Sequence, residues 1–142
     1  MKKVGLDIHG VIDTYPDLFS YISERLIRCK WEVHIITGQE KEKALPQVLE
    51  AKVSYTHFYS IVDYHREQGT HMWQDEKGTW WMGPDYWLSS KGDYCKREEI
   101  DVHFDDSVEY AQFMPETCNF VLVSKSNFDK FMSLFRNTCM AR

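Results

Sequence analysis

The sequence predicts an α/β fold: a parallel sheet of about five strands with helices on both faces, plus a short aromatic β-hairpin insert. Three observations predict it. Apolar runs of strand length alternate with stretches whose apolar residues recur at helical spacing, the pattern of a parallel sheet covered by helices. Three of those runs end on polar residues, Asp7, Thr37 and Asp105-Asp106. Four of the five tryptophans fall between Met72 and Leu88, where the alternation breaks. At 142 residues and 43% hydrophobic, the chain suits a single domain over 1–142 with a sizeable core.

Taken in order, Val4 to Ile8 reads as a buried strand. Pro16 stands just inside a helix start, as proline prefers, and Leu18, Phe19, Ile22, Leu26 and Ile27 carry the helical period. Trp31 to Ile36 is a second strand, ending at Thr37-Gly38. Glu40 to Lys52 is a second helix with Pro46 as a local irregularity. Tyr55 to Ile61 is a third strand. From about 62 to 90 lies the insert. Within it Met72-Trp73-Gln74, the polar turn Asp75-Glu76-Lys77-Gly78 and Thr79-Trp80-Trp81-Met82 form a hairpin, with Trp80 and Trp81 on opposite faces. A short helix around Asp93 to Glu99, a strand Ile100 to Phe104, a helix Ser107 to Phe113 and a strand Phe120 to Val123 follow. A last helix is capped by Ser126 or Asn127 and carries Phe128, Phe131, Leu134 and Phe135. Right-handed crossovers bring all the strand C-termini to one edge of this Rossmann-like sheet, where ligands bind in such folds.

Bulk properties remove several function classes. The net charge is −5 with no basic stripe, so long nucleic acid held by charge is not expected. No apolar run approaches the roughly 18 residues of a membrane span. The N-terminus is a strand pattern rather than a secretory signal. Cys29, Cys95, Cys118 and Cys139 are scattered without ligand spacing, so reduced thiols in a cytoplasmic protein are expected, and cysteine-bound zinc is not.

The chemistry begins at Asp7. A strand that delivers a carboxylate to its tip, beside a glycine turn at Gly10, suits phosphoryl transfer. The carboxylate can be a nucleophile or metal ligand, and loop amides can hold phosphate oxygens. Alone, Thr37-Gly38 is an ordinary strand exit, and Asp105-Asp106-Ser107 an ordinary helix start. Together, Asp7 after the first strand, Thr37 after the second, Lys91, and Asp105-Asp106 after the fourth resemble the haloacid dehalogenase (HAD) superfamily of phosphohydrolases. The resemblance covers nearly the whole chain apart from the insert.

That resemblance implies a phosphatase in which Asp7 attacks phosphorus and becomes an aspartyl-phosphate. Mg²⁺ would bind the Asp7 carboxylate, the His9 backbone carbonyl and one or both of Asp105 and Asp106, a hard cation among oxygen donors. Thr37, Gly38 and the amides near His9 and Gly10 would hold the phosphoryl oxygens. Lys91 would pair with Asp7 and the phosphate, with Lys96 its rival for that place. The sequence departs from the family at His9, where most of its phosphatases carry a second Asp that protonates the leaving group and then activates water. An imidazole, with an ordinary pKa of about 6.5, can do acid/base work. Three readings stay open: a substitute acid/base, a slow variant that accumulates phospho-enzyme, or a ligand site without catalysis. Asp13 is a further candidate proton carrier at the next helix start.

Two functions follow. One is a Mg²⁺-dependent hydrolase of a small phosphorylated substrate, with a nucleotide favoured by the aromatic content. The other is a binding module on the same fold that uses the aromatic hairpin. The tryptophans fit a lid or stacking wall, a small satellite core, or a homodimer surface. His34, His57, His65, His71 and His103 show no common ligand spacing and are expected to be satisfied or exposed rather than metal ligands.

Overall fold

The elements, in chain order, are β1 (Lys3–Leu6), α1 (Pro16–Arg28), β2 (Glu32–Thr37), α2 (Lys41–Glu50), β3 (His57–Ser60), α3 (Ile61–Gln68), β4 (Met72–Gln74), β5 (Trp80–Met82), α4 (Pro84–Arg97), β6 (Val102–Asp105), β7 (Asn119–Leu122) and α5 (Lys125–Phe135). A 3-10 turn over Val108–Phe113 precedes β7. The structure is a computed structural model and describes residues 1–137; Cys139 lies outside them.

Five strands form one parallel sheet in the order β3-β2-β1-β6-β7, and β4 and β5 form a separate antiparallel hairpin. The chain builds outward from β1 through β2 to β3, then returns to the other side of β1 with β6. The strand order therefore reverses between β1 and β6, and ligands of open α/β sheets bind at such a reversal. Alternation along the strands sorts their side chains onto two faces. Val4, Leu6, Val33 and Ile35 pack with Leu18 and Phe19 of α1, Val48 of α2 and Met132 of α5. Ile36 packs on the other face with Ile61 of α3 and with Tyr94 and Cys95 of α4.

Two helices depart from the sequence reading. The insert was expected over about 62–90, but α3 occupies Ile61–Gln68, capped by Ser60 Oγ, which accepts from Asp63 N at 3.1 Å. Helix α4 begins at Pro84 rather than near Asp93. The irregular insert thus shrinks to the hairpin and its flanks. It is anchored by Met82, which is buried in the cluster that joins Ile36 of β2 and Tyr59 of β3 to Ile61 and Tyr94 of the helices. The carboxylate of Asp75 shapes its turn, accepting from Lys77 N, Thr79 N and Trp81 Nε1 at 2.9–3.0 Å. The last helix starts after Ser124, two or three residues before the expected caps Ser126 and Asn127, and Ser124 makes no side-chain cap bond. Cys29, Cys95 and Cys118 are free thiols. Among the described residues no helix is long and apolar enough to cross a membrane.

Candidate functional site

At the C-terminal edge of the sheet, Asp7 follows β1 and Asp105 ends β6. The Asp7 amide bonds to Phe104 O at 3.0 Å, which sets the two carboxylates side by side. Lys91, in the middle of α4 and 2% exposed, sits between them. Its Nζ is 2.7 Å from Asp105 Oδ2 and 3.2 Å from Asp7 Oδ1, and it lies 4.4 Å from the Tyr110 ring centre. Asp105 is completely buried. Its Oδ2 also receives His103 Nε2 at 2.9 Å, and its Oδ1 receives the Ser107 amide at 3.1 Å. His103 finds room because its neighbour on β1 is Gly5: a Cβ there would stand 2.6 Å from His103 Nδ1.

These contacts divide the protons. Burial raises the Asp7 pKa to about 7, with the nearby charge of Asp105 adding to the rise and Lys91 only partly offsetting it. Burial also opposes the Asp105 carboxylate, but bonds from His103 and the charge of Lys91 outweigh it and hold Asp105 well below the usual range. Burial alone would lower Lys91, yet Asp7 and Asp105 hold it above the usual lysine value. Two acids share one lysine, and the one with fewer donors keeps its proton longer.

A pH dependence follows. Between about pH 4 and pH 7 the native state keeps the Asp7 proton that the unfolded state has lost. Stability from this group is therefore present at low pH and declines as pH rises through 7. Asp105 acts at the other end: its contribution holds above the ordinary Asp value near 3.9 and is lost as pH falls towards its depressed value. In chelator-treated protein, the melting temperature of Asp7→Asn minus that of wild type should widen from pH 4 to pH 7.5. A constant difference would contradict the raised Asp7 pKa.

The turn after Asp7 is type II in form, with His9 at φ −68°, ψ 127° and Gly10 at φ 78°, ψ −4°, a position that calls for glycine. A Cβ at Gly10 would also collide with Asp106. The Gly10 amide, expected to hold a phosphoryl oxygen, instead donates to Asp13 Oδ1 at 2.7 Å. The turn places that carboxylate beneath it, because Asp13 N bonds back to Ile8 O. Asp13 is not at a helix start: it closes this turn, three residues before α1, and its Oδ2 lies 3.2 Å from His9 Nδ1.

A cavity of about 440 Å³ opens over the edge and is lined by Asp7, His9, Thr37, Gly38, Lys91 and Asp106. Thr37 Oγ1 accepts from the Gln39 amide at 3.2 Å, so its own proton is left to donate. Lys96, the rival of Lys91, is exposed and lies by the opposite edge, near Asp101 and Met1.

Sequence reasoning missed Lys43, Lys77 and Tyr110, which also line the cavity, and the bond from His103 to Asp105. The three lining residues have no local sequence signal, since each arrives from a different element, whereas His103 and Asp105 share one face of β6 at i, i+2, a spacing that could have paired them. The hairpin tryptophans separate as strand alternation requires. Trp80 lines the cavity beneath Arg66, whose guanidinium is 4.8 Å from its ring centre. Trp81 is exposed and paired across the hairpin with Trp73. Trp87 belongs to α4 and closes on Gly38, where a Cβ would come within 2.7 Å of its ring. No protein-family model and no curated protein matches this chain.

Proposed function

We propose that this protein is a Mg²⁺-dependent phosphomonoester hydrolase that works through an aspartyl-phosphate at Asp7. The observation that carries the reading is the buried Lys91, held at 3.2 Å from Asp7 and 2.7 Å from Asp105 at the strand-order reversal. Once Asp7 is ionised, two buried acids on one lysine leave negative charge uncompensated, which is costly out of water. A divalent cation would compensate it. Asp7, Asp105 and Asp106 each offer a carboxylate oxygen within 4.8 Å of the others, a donor set that fits hard Mg²⁺ with water completing its shell. Bound there, with the His9 carbonyl as a further ligand, the ion would screen phosphate charge from the nucleophile.

The chain's own groups then divide the work. Thr37 Oγ1 and Lys91 Nζ hold non-bridging phosphate oxygens. A carboxylate oxygen of Asp7 attacks phosphorus, and the bond to the leaving oxygen breaks. That oxygen takes a proton from His9. The same imidazole then removes a proton from water, the water oxygen attacks phosphorus, and inorganic phosphate departs as Asp7 regains its carboxylate. The contact between Asp13 and His9 Nδ1 supports the acid/base reading of His9, because it orients the ring and leaves Nε2 for substrate. Trp80 and Trp87 give the cavity flat walls suited to a nucleotide base.

The test is phosphate release from a panel of phosphomonoesters, nucleotides included, with Mg²⁺ or with EDTA. Mg²⁺-dependent release is the expected outcome. His9→Ala should lower turnover by about 10²–10⁴-fold, the usual worth of a positioned acid/base, and His9→Asp should recover part of it. Unchanged turnover in His9→Ala would remove His9 from the mechanism.

The second reading, a non-catalytic binding module or homodimer using the hairpin, is favoured by one observation. Trp73 and Trp81 stand 47% and 49% exposed on the hairpin's outer side, away from the cavity. Release from no ester, together with a partner lost in Trp81→Ala, would select it.

A further inference from the structure

At the other edge of the sheet, where β2 and β3 begin, three side chains with metal-binding atoms meet. Glu32 and His34 are two residues apart on β2 and project from the same face, while His57 is the register partner of His34 on β3. Glu32 Oε1 is 2.8 Å from His34 Nε2 and 3.8 Å from His57 Nδ1, and the three ligand atoms lie within 4.8 Å of one another. Thr37 lies five residue steps along β2 from Glu32, roughly 16 Å at about 3.3 Å per residue, so this group is remote from the carboxylate edge.

Its composition and surroundings suit a metal. Two imidazoles and one carboxylate favour Zn²⁺, Co²⁺ or Ni²⁺ over Mg²⁺. His34 is buried, and its other ring nitrogen is 2.6 Å from Tyr94 Oη, the kind of outer contact that fixes the ring of a ligating histidine. Burial disfavours the imidazolium of His34, and the His34 bond is the chief influence keeping Glu32 ionised. His34 and His57 lie face to face. The two rings stack, 4.2 Å between centres and 5° between planes. A metal lies in the plane of each imidazole it binds, so stacked rings cannot share one ion. His57 is the ligand with room to turn, its side chain 45% exposed, and turning exchanges its 2.8 Å bond from Nδ1 to Thr56 Oγ1 for the ion. Lys3 Nζ, 3.8 Å from Glu32 Oε1, already donates to Glu98 O at 2.8 Å and can stay there when an ion takes its place beside the carboxylate.

We propose that Glu32, His34 and His57 form a second metal site, for a transition-metal dication such as Zn²⁺ or Co²⁺, that ties β2 to β3 after His57 rotates out of its stack. Neighbouring strands and an i, i+2 pair supply the three ligands, and solvent completes the coordination. The site does not depend on the hydrolase reading.

The experiment titrates tag-free, chelator-stripped full-length protein with Co²⁺ and with Zn²⁺ in excess Mg²⁺. One equivalent should bind, with visible Co²⁺ absorption and without the near-ultraviolet thiolate band that Cys95 or Cys118 would give. His57→Ala and Glu32→Gln, both changes at solvent-reachable side chains, should each weaken binding at least about tenfold, the lower bound of what even an outer-shell partner contributes. Asp7→Asn and Asp106→Asn should leave it intact. Absence of stoichiometric binding, undiminished binding in His57→Ala, a thiolate band, or loss of binding in Asp7→Asn would each overturn the proposal.

Discussion

Asp7→Asn is expected to abolish phosphate release and, in the same protein, to raise the melting temperature in the presence of EDTA. The first half follows from the proposed role. An amide cannot attack phosphorus, and removing a nucleophile commonly costs a factor of about 10⁴ or more. The second half follows from burial. Asp7 is 7% exposed, and its pKa is raised to about 7 by desolvation ahead of every other influence. At pH 8 the metal-free protein must therefore hold an ionised carboxylate where the fold disfavours one. A shift of about three pKa steps corresponds to an upper bound of about 4 kcal/mol at about 1.4 kcal/mol each. Asparagine keeps the carbonyl that accepts from the Ile8 amide at 2.9 Å, so the turn keeps its bond. A rise of several degrees is expected, at about 2–4 °C per kcal/mol for a chain near this size. Adding Mg²⁺ should raise the wild type and move the variant much less. Retained turnover would remove Asp7 as nucleophile, and an unchanged or lower melting point at pH 8 would refute the cost of its ionisation.

Much of this edge was legible in the sequence because parallel sheets gather strand ends without help. Asp7, Thr37 and Asp105 each close an apolar run, and the fold brings them to one edge whatever the helices do. Element boundaries were less legible where composition argued against the structure. Ser89-Ser90-Lys91-Gly92 falls at the junction of the expected insert and the expected helix from Asp93, yet it is the middle of α4. Gly92 is there because the 3-10 turn crosses it: a Cβ would stand 2.1 Å from Phe113 O. Helix α3 was hidden for another reason. It buries only Ile61, Val62 and His65, too few to display a period against its charged residues. Contacts between elements left no trace at all. The His34–His57 stack has no spacing to detect because its members come from different strands, 23 residues apart in sequence. The His103–Asp105 pair does have an i, i+2 spacing on β6, but the room it needs comes from Gly5 on the neighbouring β1, which no local pattern announces. The Gly10 amide is taken by Asp13, a carboxylate whose position just before Pro16 reads in sequence as a helix start.

Lys91→Met is expected to be the most destabilising single change in this edge of the molecule, and to separate the two lysines that the sequence left in competition. Methionine retains most of the buried stem, so the loss is chiefly the ammonium. Asp105 is fully buried, the Asp7 side chain is 9% exposed, and both face the same Nζ. Without it, at pH 8 where Asp7 has lost its proton, two carboxylates oppose each other out of water. Breaking a buried pair in this way costs about 3–5 kcal/mol, a fall of about 10 °C for a chain near this size. The double variant Lys91→Met with Asp7→Asn should recover part of that loss, because one of the stranded charges is gone. A coupling of about 0.5–3 kcal/mol in the cycle would measure the pairing itself. Mg²⁺ should also restore part of it if the three carboxylates bind the ion, since a dication then replaces the missing charge; EDTA would reverse the rescue. Turnover should be lost in Lys91→Met at any Mg²⁺ concentration, because the ammonium has no substitute against the phosphate. Lys96→Met, at an exposed position by the opposite edge, should change neither the melting point nor the rate. Equal effects in the two variants would refute the assignment of Lys91. A cycle with no coupling would mean that the geometry between Lys91 and Asp7 carries no energy.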